Sequence, residues 1–143
     1  MENIKKEKKS GESKVSKQED PSLPDNLHAY MVLDTRFEIE KRYEVIDPIG
    51  SGAYGVVVAA KDGPSPNDGE PNLVAVKKIV KAFEHRVFAL RTYRELKIQR
   101  LLEHENVLGI KRILQPRNRK DFNEIYVVTE LMETDLAQII KSN

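Results

Sequence analysis

Cysteine is absent from the 143 residues. That excludes a disulfide framework, a thiolate metal site and a thiol nucleophile. There is no surplus of either charge: 24 Lys and Arg stand against 23 Asp and Glu, a net charge of +1. Such a balance excludes a broad electrostatic clamp for nucleic acid and a polybasic membrane anchor as function classes. No apolar run approaches the roughly 18 residues of a membrane-spanning helix. The N-terminus is charged from Glu2 onward and lacks an apolar stretch, which argues against a secretory signal. What remains is a chain of one-domain length that must hold together by its core. With 39% hydrophobic residues that is feasible, provided they are concentrated.

They are unevenly spread. Residues 1–20 carry six Lys and five acids but only Met1, Ile4 and Val15 as aliphatic or Met side chains. Pro21-Ser22-Leu23-Pro24-Asp25-Asn26 adds turn residues without periodicity. Burial there offers little against an ordering cost of about 1–2 kcal/mol per residue. Residues 1–35 therefore read as a disordered, charged extension. The other reading is a docking or lipid-binding arm through Lys5, Lys6, Lys8 and Lys9; interleaved acids favour a solvated tail.

From Arg36 the pattern changes. Arg42 to Ile49 has strand formers and runs into glycines, and Val56-Val57-Val58-Ala59-Ala60 is a short β-branched run. The two predict an antiparallel hairpin. Residues 62–72 form a Pro-, Asn- and Gly-rich loop. Leu73 to Val80 predicts a third strand. His85 to Glu103, free of Gly and Pro, predicts a helix with Leu90, Tyr93, Ile98, Leu101 and Leu102 as its buried side. Val107 to Leu114 and Glu124 to Leu131 predict two more strands. Asp135 to Lys141 starts another helix.

Gly50-Ser51-Gly52-Ala53-Tyr54-Gly55 fits G-x-G-x-x-G. In a dinucleotide fold such glycines open a helix. Here strand material follows, so the segment is a β-turn-β lid whose backbone N–H groups can approach phosphates. Val57 would face the ligand. In Val74-Ala75-Val76-Lys77, strand alternation puts Ala75 and Lys77 on one face. A small residue and a lysine suit an adenine ring and a phosphate. Lys78, on the other face, is the competing candidate for the phosphate lysine, with a solvated surface lysine as its plainer reading. Glu95, within the helix, is a candidate partner for Lys77, against the plain alternative of a solvated helix residue.

Taken in order, Gly50 to Val57, Val74 to Lys77, and Glu95 resemble the ATP-site set of protein kinases. Phe83-Glu84-His85, Arg91-Thr92-Tyr93-Arg94-Glu95, His104 to Ile110 and Glu130 to Leu136 resemble the MAP kinases in particular. The likeness runs from about Tyr43 to the last residue. It implies an α+β fold, the N-terminal lobe of a kinase, with a five-stranded antiparallel sheet and one packed helix (helix C). The ATP-binding lobe would occupy residues 36–131, and residues 132–143 would be the hinge and the start of a second lobe.

The resemblance also implies roles. Ile49 and Val57 would cover the adenine and Ala75 would close the pocket. Lys77 would hold the α- and β-phosphates and pair with Glu95; these two are the catalytic candidates. Thr129 falls at the gatekeeper position. The Glu130 carbonyl and the Met132 N–H would bind the adenine edge. Asp135 would contact the ribose, with a helix N-cap as its plainer reading. Arg94, and less so Arg91, resemble an arginine that binds an activation-loop phosphate. No metal ligand is expected in this chain; the magnesium ligands and general base belong to segments that nothing here resembles. The implied whole is a monomeric cytoplasmic or nuclear Ser/Thr kinase using ATP and Mg2+ on protein substrates under an upstream MAP kinase kinase. The alternatives are a truncated, non-catalytic binding module and a cyclin-dependent or Nemo-like branch. By itself the chain is expected to be inactive.

One residue departs from the pattern. Gln99 lies one turn after Glu95, where the family usually has Leu, Met or Ile. A buried amide costs free energy unless it is hydrogen-bonded. Gln99 is therefore expected to weaken the inward position of the helix: Lys77 and Glu95 are expected within salt-bridge reach in the complete, active enzyme and apart in this chain alone.

Overall fold

The computed structural model of the protein describes residues 14–53, 55–63, 72–115 and 122–142. In chain order the strands are β1 (Val15–Gln18), β2 (Leu27–Val32), β3 (Thr35–Glu40), β4 (Tyr43–Gly52), β5 (Gly55–Asp62) and β6 (Leu73–Ile79). Helix α1 (Arg86–Leu101), strands β7 (Ile110–Leu114) and β8 (Ile125–Glu130) and helix α2 (Leu136–Lys141) follow. They build two antiparallel sheets, β1-β2-β3 and β4-β5-β6-β8-β7.

The five-stranded sheet has two very different faces. Alternation along β6 sends Val74, Val76 and Lys78 one way and Ala75, Lys77 and Ile79 the other. Register extends this to the neighbours: Val76 pairs with Val58 and Val128, and Lys77 with Val57 and Val127. On the outer face Val58, Val74, Val76 and Val128 share one core with Tyr30, Val32, Phe37 and Ile39 of the smaller sheet. On the inner face Ile79, Ala82, Ile125 and Val127 meet Phe88 and Leu96 of α1 and Ile110 and Ile113.

This arrangement corrects the expected disorder for residues 14–35. Residues 1–13 lie outside the described ones, but Val15 onward is sheet. The boundary placed at residue 36 cuts between paired strands, since Thr35 to Glu40 pair with Leu27 to Val32. Physically, a five-stranded sheet of β-branched residues needs cover on both faces. Tyr30 and Val32, then Phe37 and Ile39, supply an inward alternation that a count over the whole segment conceals.

Side chains then stitch the sheets together. The Tyr126 hydroxyl accepts from the Glu38 N–H at 3.0 Å, and Arg112 reaches Glu40 at 3.1 Å. Burial pushes the Tyr126 phenol well above its ordinary range, so it stays protonated. At the start of the sheet Asp20 accepts from the Ser22 hydroxyl at 2.6 Å and the Ser22 N–H at 2.9 Å, and pairs with Arg36. The Ser22 bonds, aided by Arg36, hold its carboxyl down to about 2. A depressed carboxylate stabilises the fold above its unfolded value of about 4, and that contribution is lost as pH falls towards 2. Asp20→Asn is expected to flatten this part of the acid-unfolding curve, as measured by circular dichroism between pH 5 and 2.

Helix α1 turns a different face to the sheet from the one expected. Thr92 is buried, Phe88 and Leu96 are half-buried, and all three recur at a four-residue spacing. Leu90, Tyr93, Ile98, Leu101 and Leu102 are exposed instead. The larger number of apolar side chains lies on the side away from the sheet, so apolar content misassigns the face.

Candidate functional site

The inner face of the sheet, α1 and the segment after β8 enclose a cleft of about 410 Å³. That lies within the roughly 300–1,000 Å³ of small-molecule sites. Ile49, Val57 and Ala75 line it from β4, β5 and β6. The expected register therefore holds, with Ala75 and Lys77 on the cleft face. Ile49 gets there because β4 is irregular. Its register shifts between Val45 and Asp47 and again between Pro48 and Gly50, and such bulges bend a strand. Pro48 is tolerated because β4 is an edge strand.

Lys77 Nζ lies 3.0 Å from Glu95 Oε1. Both side chains are partly exposed, at 38% and 48%, so the pair contributes only about 0–1 kcal/mol to stability. Its consequence is geometric: the ammonium is held at one end of the cleft. The expectation that the pair stands apart is thus corrected. Gln99 lines the cleft, and its amide donates to the Leu108 carbonyl at 3.3 Å. This bond gives the amide nitrogen a partner and ties α1 to the segment before β7.

Thr129, Glu130, Met132 and Asp135 also line the cleft. Thr129 is 9% exposed, pairs with Ala75, and donates its hydroxyl to the Glu130 carbonyl at 3.1 Å. Asp135 takes the plainer of its two readings, the helix cap, at a position on the cleft wall. It caps α2, accepting from the Gln138 N–H at 2.8 Å, and it faces the cleft. Gly50, Ser51, Gly52, Ala53 and Gly55 do not line the cleft; they form the hairpin that projects past Ile49 and Val57. Tyr54 lies outside the described residues. Arg91 and Arg94 are exposed on α1.

The glycines divide by what surrounds them. Gly55 has φ +143°, and a Cβ there would sit 1.8 Å from the Lys78 carbonyl oxygen. Only glycine fits. A Cβ on Gly52 would meet nothing within 4 Å. Among the described residues, packing leaves room for a side chain at Gly52. Gly52→Ala is expected to leave unfolding within about 0.5 kcal/mol of the parent while weakening nucleotide affinity. Urea titration and calorimetric titration with ATP measure the two effects separately.

Leu96, Gln99, Leu108, Val127, Glu133 and Gln138 also line the cleft, and sequence reasoning did not place them there. Val127 has a sequence signal, because strand alternation puts it on the same face as Thr129. Leu108 arrives through an irregular segment without a periodic signal. Lys78 is the strongest correction. It is 3% exposed, not solvated, with its ammonium 2.8 Å from Glu124.

A glycine hairpin, a strand lysine joined to a helix glutamate and a cleft closed by β8 occur together here. Residues 43–143 match the family described as protein kinase domain. The chain belongs to the protein kinase family. Within that family it is similar to "Mitogen-activated protein kinase 7" of Arabidopsis thaliana, 51% identical over 116 residues that cover 81% of this chain and 30% of the relative. "Mitogen-activated protein kinase 4" of Oryza sativa subsp. japonica is 50% identical over the same shares. "Mitogen-activated protein kinase 4a" of Physcomitrium patens is 47% identical over 86% of this chain and 32% of its own. The chain spans about 30% of the length of the curated relatives it matches. Its sheet, α1 and cleft are the amino-terminal lobe of this kinase fold.

Proposed function

We propose that the chain is the ATP-binding lobe of a MAP-kinase-like Ser/Thr kinase. The observation that carries this is the Lys77–Glu95 pair, formed at 3.0 Å on the wall of a cleft that Ile49, Val57, Ala75 and Val127 also line. Each part has a task. Ile49, Val57 and Ala75 give apolar contact to a flat base. The backbone of Glu130 and Met132 offers an acceptor and a donor to its edge. The Lys77 ammonium offsets phosphate charge, and Glu95 keeps it from folding back onto the sheet. ATP supplies the phosphoryl group to be transferred to Ser or Thr of protein substrates, under an upstream MAP kinase kinase and in the cytoplasm or nucleus. The active species is a monomer.

Among the described residues no group of three or more His, Cys, Asp or Glu could hold a metal. Glu95 is engaged by Lys77, and Asp135 caps α2. These residues do not fit a magnesium site, and no step is assigned to the ion here. Phosphoryl transfer depends on positioning plus charge stabilisation. This lobe provides one cation and a base pocket, and nothing in it resembles the catalytic loop or the Asp-Phe-Gly segment.

The 143-residue chain is therefore expected to bind ATP and to transfer no phosphoryl group. Incubation with labelled ATP, magnesium and a generic protein substrate should leave label at background. Lys77→Met removes the charge that offsets the phosphates and should weaken ATP binding about tenfold or more in calorimetric titration. Full ATP affinity in Lys77→Met, or Lys77-dependent labelling, would overturn the proposal.

A further inference from the structure

The residue after the phosphate lysine is itself a lysine, and it is buried. Lys78 projects from the outer face of β6 into the seam between the two sheets. Its ammonium donates to the Arg36 carbonyl of β3 and lies 2.8 Å from Glu124, just before β8. It sits 5.8 Å from the Phe37 ring centroid and 5.4 Å from that of Tyr126, whose rings meet edge to face. Tyr126 is the register partner of Lys78, and its hydroxyl holds the Glu38 N–H. Two neighbouring side chains of the kinase sheet thus grip the backbone of β3. Directly behind them, on the cleft face, stand Lys77 and its register partner Val127.

A cation at 3% exposure is an unusual way to fill a core. Burying a lysine costs several kcal/mol that pairing repays only in part, so apolar replacement is often neutral or stabilising. Stability is therefore a weak reason for it. Geometry is a better one. Successive strand side chains point to opposite faces, so fixing one fixes the roll of the strand for the next. The ammonium is held by a carbonyl, a carboxylate and two ring faces. Valine or methionine here would pack without direction.

We propose that Lys78 is a positioning residue for Lys77. It locks the roll of β6 against the N-terminal sheet, so that the Lys77 ammonium meets Glu95 and the phosphates of ATP. This rests on the kinase reading of the cleft, but the test below reads the ion pair, not turnover. Failure to bind ATP would sink that reading and leave this result standing.

The test uses the 143-residue chain, with the Lys77 Cε–Hε resonances followed by NMR. Glu95→Gln marks the position of those resonances when the ion pair is broken. Lys78→Met removes the anchored charge and keeps a long apolar stem. Glu124, half exposed, is then solvated by water. Melting is expected to stay within about 5 °C of the parent, while Lys77 moves at least halfway to the Glu95→Gln position. Glu124→Gln leaves the lysine its carbonyl and rings and should move Lys77 the same way by less. An unmoved Lys77 in folded Lys78→Met overturns the proposal. So does a change confined to the peaks of unfolded chain, which would mark a merely structural residue. Should Lys78→Met fail to fold, Glu124→Gln decides: a shift supports the proposal, and none overturns it.

Discussion

Phe37→Ala is expected to remove about 3–5 kcal/mol of stability, the cost of truncating a fully buried aromatic side chain. Phe37 is 0% exposed and packs in the core shared by the two sheets. It meets Tyr126 edge to face at 5.8 Å and lies beside the Lys78 ammonium. The substitution opens a cavity and also takes one wall from the aromatic box, leaving Lys78 less well accommodated. Urea unfolding followed by tyrosine fluorescence measures the loss. Were residues 1–35 a disordered tail on a lobe beginning at residue 36, Phe37 would be a marginal edge position, and the change would cost under about 1 kcal/mol. The two outcomes are far enough apart for one denaturation curve to separate them.

Gly55→Ala is expected to cost about 2–5 kcal/mol, from left-handed backbone strain and a direct backbone collision. At φ +143° a Cβ would lie 1.8 Å from the Lys78 carbonyl oxygen and 2.9 Å from its carbonyl carbon. Neither atom can move without moving β6, because Gly55 pairs with Ile79 there. Gly55 and Gly52 belong to one six-residue motif, yet alanine at one should unfold the hairpin and at the other leave stability unchanged. Parallel melts of the two variants are the check. Equal melting temperatures would show that the hairpin does not have this backbone path.

The legibility of the chain follows from distance along it. The hairpin, the Ala75/Lys77 face and the strand-helix-strand order are local patterns, encoded in runs of ten or so residues. They stand in the structure as read, and so do Ile49, Val57, Thr129, Glu130, Met132 and Asp135 on the cleft wall. What escaped depends on remote partners. Lys78 is surrounded by a carbonyl 42 positions away, and Glu38 finds its hydroxyl 88 positions on. No window contains both sides of such a contact. The inward pattern of Tyr30, Val32, Phe37 and Ile39 was present as a period of two, diluted by Glu38, Glu40 and the charged residues before them. Gln99 misled for another reason. Its cost was plain from its chemistry, but the bond to Leu108 that offsets it depends on an irregular segment.

The seam between the sheets also sets an order of events during synthesis. Chains emerge N-terminus first, and contacts between remote segments close late. Strands β2 and β3 are made early, carrying Tyr30, Val32, Phe37 and Ile39 on one side. The hydroxyl that binds Glu38 arrives with Tyr126, 88 residues later. In the interval a growing chain displays a bare apolar hairpin face, the sort of surface that nascent-chain chaperones engage. The ribosome thus releases the cover of this lobe before the wall it covers.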